Sequence, residues 1–143
     1  ETTNNIKLFP KSSYVATENK NMVLDKKQIN QNIPNKIFEL IDARSKERFQ
    51  GLQPEPRKEL RSGNIDGSNN IFFMELINDN DNTFKDINEI KLIFDKLKLN
   101  LNKDMAFTCG SGVTACILGL AYSIISGKNP VIYDGSWCEY GLK

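Results

Sequence analysis

The apolar positions fall into several short runs separated by polar, Pro- and Gly-rich stretches, with periods that alternate between strand and helix. "YVATENKNM" carries a short strand signal. In "LDKKQINQNI" the apolar Ile29 and Ile33 stand at helical spacing, Asp25 is an N-cap candidate, and Pro34 follows to stop a helix of about two turns. "KIFELIDAR" is a continuous apolar run of strand length that ends in polar residues, as a central parallel strand does, and it leaves Asp42 and Arg44 at its carboxyl end. "DINEIKLIFDKLKLNL" sets Ile87, Ile90, Ile93, Phe94 and Leu97 on one helix face, with Asp86 placed to cap it. "DMAFTC" reads as a second buried strand and "TACILGLAYSIIS" as a largely buried helix with Gly127 as its C-cap. "PVIYDGSW" reads as a third strand followed by a turn. Strand, loop, helix and strand in that order predict the doubly wound α/β class, with right-handed crossovers. Ligands in such sheets sit beyond the carboxyl ends of the strands.

Two stretches fit no element. The first fourteen residues are polar and Asn-rich, with Pro10, and read as a linker or extension ahead of a domain spanning residues 15–143. The stretch "SKERFQGLQPEPRKELRSGNIDGSNN", residues 45–70, is long for a structureless connection and carries or adjoins Arg44, Arg48, Arg57 and Arg61. It reads either as a ligand loop or as a solvated loop in which Glu47, Glu55 and Glu59 neutralise the arginines.

Composition narrows the chemistry. With 143 residues, 39% hydrophobic and 26% charged, the chain has the size of one globular domain with a core of its own. A formal charge of +1 gives no broad basic surface, so nucleic acid is not an expected partner. No apolar run approaches the roughly 20 residues that span a bilayer, so no membrane partner is expected. The start "ETTNNIKLFPKSS" lacks the apolar segment of a signal peptide. Because it opens on Glu1, the chain reads as a processed or excised piece of a longer protein, and its compartment stays open. There are three cysteines and no histidine. Without histidine, a Cys-His zinc site, a Ser-His-Asp triad and a Cys-His protease pair cannot be built from this chain, and a thiolate-only zinc site lacks a fourth ligand. Neither a metal nor another cofactor is expected.

The stretch "FTCGSGVTAC" concentrates the remaining chemistry. Cys109 falls where a strand ends and a helix begins. The amides of "GSGVT" can curl toward its sulfur, and the helix dipole points its positive end there, surroundings that favour a thiolate nucleophile. Gly110 and Gly112 let such a loop turn its amides inward. A buried cysteine beside an ordinary turn is the competing reading. Cys116 lies within the apolar helix and reads as core packing, and Cys138 beside Trp137 reads as a bystander. A thiol phosphatase would need an arginine six positions after the cysteine to clamp phosphate, and that position is Ala115.

"DARSKERFQG", "PEPR", "GNIDGSNNI", "TCGSGVTACI" and "YDGSWCEYG", in this order, resemble the C-terminal catalytic domain of two-domain rhodanese-type sulfurtransferases. The loop most resembles the 3-mercaptopyruvate branch. The resemblance implies a three-layer α/β domain, with a central parallel sheet flanked by helices, as the carboxyl-terminal half of a longer protein. One departure is the turn "GNIDGS", where Asn64 and Asp66 stand in place of the usual His and Pro.

The resemblance also implies a double displacement in which Cys109 takes sulfur as a persulfide and passes it to a thiol such as thioredoxin or glutathione, or to cyanide. Gly110, Gly112, Val113 and Thr114 would cradle substrate and persulfide. Arg48 of "ERF" and Arg57 of "PEPR" would hold the donor's carboxylate, whereas Arg44 would pair with carboxylates of the protein itself. Ser111 would join a proton relay whose histidine and aspartate come from an N-terminal rhodanese-like domain. Thiosulfate users of the family typically follow the cysteine with Arg and Lys. Neutral Gly110 and Ser111 instead favour mercaptopyruvate, whose thiol carries no sulfonate, over the alternative donor thiosulfate. A non-catalytic rhodanese-like binding module is the other alternative.

Overall fold

The computed structural model describes residue 4, residues 8–99 and residues 103–143. Part of the predicted linker, and the end of the predicted helix at Asn100 and Leu101, lie outside the described residues.

Five parallel strands form one sheet: β1 (Val23–Leu24), β2 (Phe38–Asp42), β3 (Asn69–Asn70), β4 (Asp104–Thr108) and β5 (Val131–Tyr133), in the order β1-β5-β4-β2-β3. The central pair runs in register from Phe38 opposite Asp104 to Asp42 opposite Thr108. Both faces of this sheet are covered, which explains why its strands read as continuous apolar runs. Ile41, Met105 and Phe107 pack on one side with Ile90, Phe94, Leu118 and Tyr122. The alternate residues Leu40 and Ala106 pack on the other with Ile29, Ile65, Tyr133 and Trp137. The first layer contains α3 (Ile87–Asp95) and α4 (Val113–Ser126), and the second contains α1 (Lys26–Asn35). This is the three-layer α/β arrangement expected from the sequence.

Local signals act as predicted at most ends. Asp25 and Asp86 each form a capping box, with Gln28 and Glu89 returning the bond. Gly127 closes α4 in the left-handed conformation at φ 71°. Four readings need correction. The strand expected in "YVATENKNM" is displaced: Lys20–Met22 is a 3₁₀ turn capped by Asn19, and only Val23 and Leu24 pair with the sheet. Helix α1 continues through Pro34, whose missing N–H falls in the last turn, and ends at a left-handed Lys36. The long polar stretch is not structureless, since it holds α2 (Lys46–Phe49), capped by Ser45, and ends in β3. After β5 the chain forms α5 (Ser136–Tyr140) rather than a bare turn.

Cys116 is a fifth correction, because it is exposed rather than packed in the core. Helix α4 buries Ala115, Leu118, Ala121 and Tyr122, and an apolar helix gives no period from which to tell the buried side from the open one. In the turn "GNIDGS" the unusual Asn64 finds a partner and Ile65 packs inward. Asn64 Nδ2 donates to the Phe49 carbonyl at 2.9 Å, and Ile65 is buried.

Candidate active site

The carboxyl end of β4 delivers Cys109 to the base of a cavity of about 200 Å³. Seven of the eight residues singled out in the sequence line it: Arg48, Arg57, Cys109, Gly110, Ser111, Val113 and Thr114. Gly112 does not. Its part is to turn the loop, at φ 85°, and an added Cβ would stand 2.9 Å from the Asp134 carbonyl oxygen. No described side chain caps the first turn of α4. Its leading amides therefore have no partner within the helix, and with the dipole of this 14-residue helix they form a positive end beside Cys109.

The cysteine itself is 1% exposed, and its main chain is pinned from both sides by the segment after β5. Cys109 N donates to Ser136 Oγ at 3.1 Å, and that hydroxyl donates to the Tyr133 carbonyl at 2.8 Å. Trp137 N donates to the Cys109 carbonyl at 3.0 Å, and Cys138 N donates to the Gly110 carbonyl at 2.8 Å. Ser136 holds this position with φ 48°, a left-handed conformation that a non-glycine residue adopts at a cost. Sequence reasoning missed Ser136. The only hint was its place in "YDGSW", one of the matched motifs.

Opposite the cysteine, the stretch after β2 supplies the arginines. Arg44 and Glu55 are both buried, and Arg44 makes a forked pair with Asp42 (Nη2 to Oδ2, 2.7 Å) while Nη1 reaches Glu55 Oε1 at 2.8 Å. Glu55 then turns its second oxygen to Arg48 Nη2 at 2.6 Å. One carboxylate thus bridges two guanidinium groups and aims Arg48 across the cavity, where Nη2 would lie 3.2 Å from a Cβ placed on Gly110. Arg44 is the partner of carboxylates that the sequence implied. The solvated-loop reading holds in part only: Glu55 is a buried organiser, and among the described residues neither Glu47 nor Glu59 makes an ion pair.

Two cysteine assignments change here. Cys138 is not a bystander, because it lines the cavity and Arg57 Nη1 donates to its Sγ at 3.0 Å. Cys116 is turned away, with its Sγ donating to the Gly112 carbonyl at 3.4 Å. Partial burial pushes the Cys116 thiol above its ordinary range, and the charges of Cys109 and Asp134 push it further. Among the described residues no group of three or more Cys, Asp or Glu is placed to hold a metal ion, and no helix is long and apolar enough to cross a membrane.

A family model described as the rhodanese-like domain matches residues 19–143. The chain belongs to the rhodanese-like domain family. Thiosulfate/3-mercaptopyruvate sulfurtransferase 2 of Arabidopsis thaliana is 44% identical over 119 residues, which cover 83% of this chain and 34% of that protein. Mouse 3-mercaptopyruvate sulfurtransferase is 44% identical over 114 residues, covering 79% of this chain and 38% of that protein. The crystal structure of the Tum1 protein from Saccharomyces cerevisiae matches with a TM-score of 0.82 at 31% identity, over 92% of this chain and 48% of that one. The rhodanese-like chain therefore spans between about a third and a half of the length of these relatives.

Proposed function

We propose that this chain is the catalytic domain of a sulfurtransferase that takes sulfur from 3-mercaptopyruvate onto Cys109 and delivers it to a thiol or to cyanide. The observation that carries this reading is the placement of Cys109 at the uncapped amino end of α4, facing Arg48 and Arg57 across one cavity. The names of the relatives support sulfur transfer with this donor or with thiosulfate.

In the first half-reaction the Cys109 thiolate attacks the donor's sulfur. A bond forms between the two sulfurs, the carbon–sulfur bond breaks, and its electron pair leaves on carbon as the enolate of pyruvate. The proton first carried by the donor's thiol ends on that carbon, and a persulfide anion remains on Cys109 beside the positive end of α4. Ser111, exposed on the cavity wall, would pass that proton, and its position on the wall supports this role. In the second half-reaction an acceptor thiolate or cyanide takes the outer sulfur and returns the electron pair to Cys109. The remaining length of the relatives agrees with residues 15–143 being one half of a longer protein. A preceding rhodanese-like domain would then supply the histidine and aspartate of the relay.

Donor choice is the first test. Steady-state assays of the full-length protein are expected to give a higher kcat/KM with mercaptopyruvate than with thiosulfate, because Gly110 and Ser111 offer no charge to a sulfonate. Changing them together to Arg and Lys is expected to shift the ratio toward thiosulfate. It is also expected to weaken mercaptopyruvate turnover, since a side chain on residue 110 meets Arg48 at once. A native preference for thiosulfate would overturn the donor assignment. Absence of persulfide on any cysteine after donor treatment would favour a binding module.

The arginines give the second test. A charge-assisted hydrogen bond contributes roughly 1.5–3 kcal/mol, so Arg48→Ala or Arg57→Ala is expected to lower kcat/KM for mercaptopyruvate by about 10- to 100-fold. Lysine at either position keeps the charge but loses the planar fork and is expected to recover part of the loss. Lys58→Ala is the appropriate control. Arg61 is not, because its guanidinium lies 4.4 Å from the centre of the Trp137 ring and its carbonyl accepts from Trp137 Nε1. Effects at Arg48 and Arg57 no larger than at Lys58 would remove the clamp.

A further inference from the structure

We propose that Cys138 is a second sulfur carrier, which receives the outer sulfur from Cys109 and presents it to the acceptor; this deepens the sulfurtransferase reading and rests on it. Three observations converge. Cys109 and Cys138 line the same cavity, and two main-chain hydrogen bonds, Trp137 N to the Cys109 carbonyl (3.0 Å) and Cys138 N to the Gly110 carbonyl (2.8 Å), lock their segments side by side. Arg57 Nη1 stands 3.0 Å from Cys138 Sγ. A guanidinium only donates, so the sulfur is the acceptor in this contact, and the cation holds that sulfur in place on the cavity wall. The third observation is access: Cys109 is 1% exposed, whereas Cys138 is half-buried beside an exposed Arg57.

Burial creates the need for a carrier. A persulfide on Cys109 extends about 2 Å further into the cavity than the thiol does. Small acceptors such as cyanide can enter to collect that sulfur. A peptide-sized thiol must bring its own sulfur into line with the S–S bond at the base of a cavity of about 200 Å³. Cys138 already lies on the wall and nearer to solvent.

The transfer balances without an oxidant or reductant. The Cys138 thiol first passes its proton to the Cys109 persulfide anion, and the sulfur so freed attacks the outer sulfur of that persulfide. The new bond joins Cys138 Sγ to that sulfur, and the old S–S bond breaks. Its electron pair returns to Cys109 Sγ as a thiolate beside the amino end of α4, and the proton stays on the transferred sulfur. Cys109 is then free to meet a second donor. Cys116 plays no part, since it lies off the cavity and its sulfur donates to the Gly112 carbonyl.

The test is time-resolved mapping of sulfur on the full-length protein. The protein is mixed with mercaptopyruvate without acceptor, quenched and alkylated at intervals, and its peptides are weighed. Sulfur is expected first on Cys109 and later on Cys138, with none on Cys138 in the Cys109→Ser variant. In Cys138→Ala sulfur is expected to stay on Cys109, and turnover with reduced glutathione is expected to fall about tenfold relative to turnover with cyanide. Sulfur confined to Cys109 at all times overturns the carrier and leaves the sulfurtransferase reading standing. Loading of Cys138 in Cys109→Ser overturns the order of transfer. A Cys109–Cys138 disulfide formed with release of sulfide also overturns it, because Cys138 would then discharge the persulfide rather than carry it. No added sulfur on any cysteine overturns the carrier and the sulfurtransferase reading together.

Discussion

Replacing Cys109 by serine is expected to lower sulfur transfer from mercaptopyruvate to cyanide by about three powers of ten or more. A hydroxyl at the end of β4 keeps nearly the same volume in a site that is 1% exposed, so the core around Phe107 and Ala115 should still close. What disappears is the anion. A serine hydroxyl is a far weaker acid than a thiol, and it forms no stable bond to a sulfane sulfur. Steady-state kinetics with a parallel thermal melt separates the two effects. Residual activity above about a hundredth of the native rate, in a variant of unchanged melting temperature, would move the nucleophile elsewhere.

Much of this site was legible before its geometry was known, for a definite physical reason. Cys109 stands between a run that is apolar at every position and a helix opened by glycine and hydroxyl residues. A parallel strand buried on both faces and followed by a turn onto a helix amino end requires that pattern. The arginines were legible only through the motifs around them, because nothing in their spacing distinguishes a clamp from solvated charge. Glu55 was misjudged for the same reason. A carboxylate that bridges Arg44 and Arg48 looks, in sequence, like its neighbours Glu47 and Glu59. Ser136 and Cys138 were missed because their roles depend on contacts with the chain at Cys109 and Gly110, and no local period encodes such a contact.

The buried ion cluster carries the largest expected effect on stability. Arg44→Met leaves Asp42 and Glu55 facing each other's surroundings without their shared cation, and each of these side chains is only 1% exposed. Removing one member of a buried pair costs about 3–5 kcal/mol, a large share of the 5–15 kcal/mol that typically holds a domain together. For a chain of this length the melting temperature is expected to fall on the order of 10–20 °C. The loss has a second source, because the Arg44 guanidinium also lies 4.5 Å from the centre of the Trp137 ring, across from Arg61. Arg44→Lys should recover part of the fall, since one ammonium cannot reproduce the fork to Asp42 together with the bonds to Glu55 and the Gly63 carbonyl. A shift below about 3 °C in Arg44→Met would show that the two carboxylates find other partners.

The clasp on the cysteine loop also bears on how the protein is made. Ser136 lies 27 residues after Cys109, and Trp137 and Cys138 follow it, so a ribosome delivers the reactive thiol well before the groups that shape its loop. Until those residues join the chain, the loop lacks the hydroxyl on its amide and the neighbouring carbonyl contacts. Sulfur handling therefore begins only when the last strand and the short helix after it have been synthesised and have closed over the loop. A chain that ends before Ser136 lacks the bonds to the Cys109 amide and to the Cys109 and Gly110 carbonyls, and its cysteine loop has no clasp.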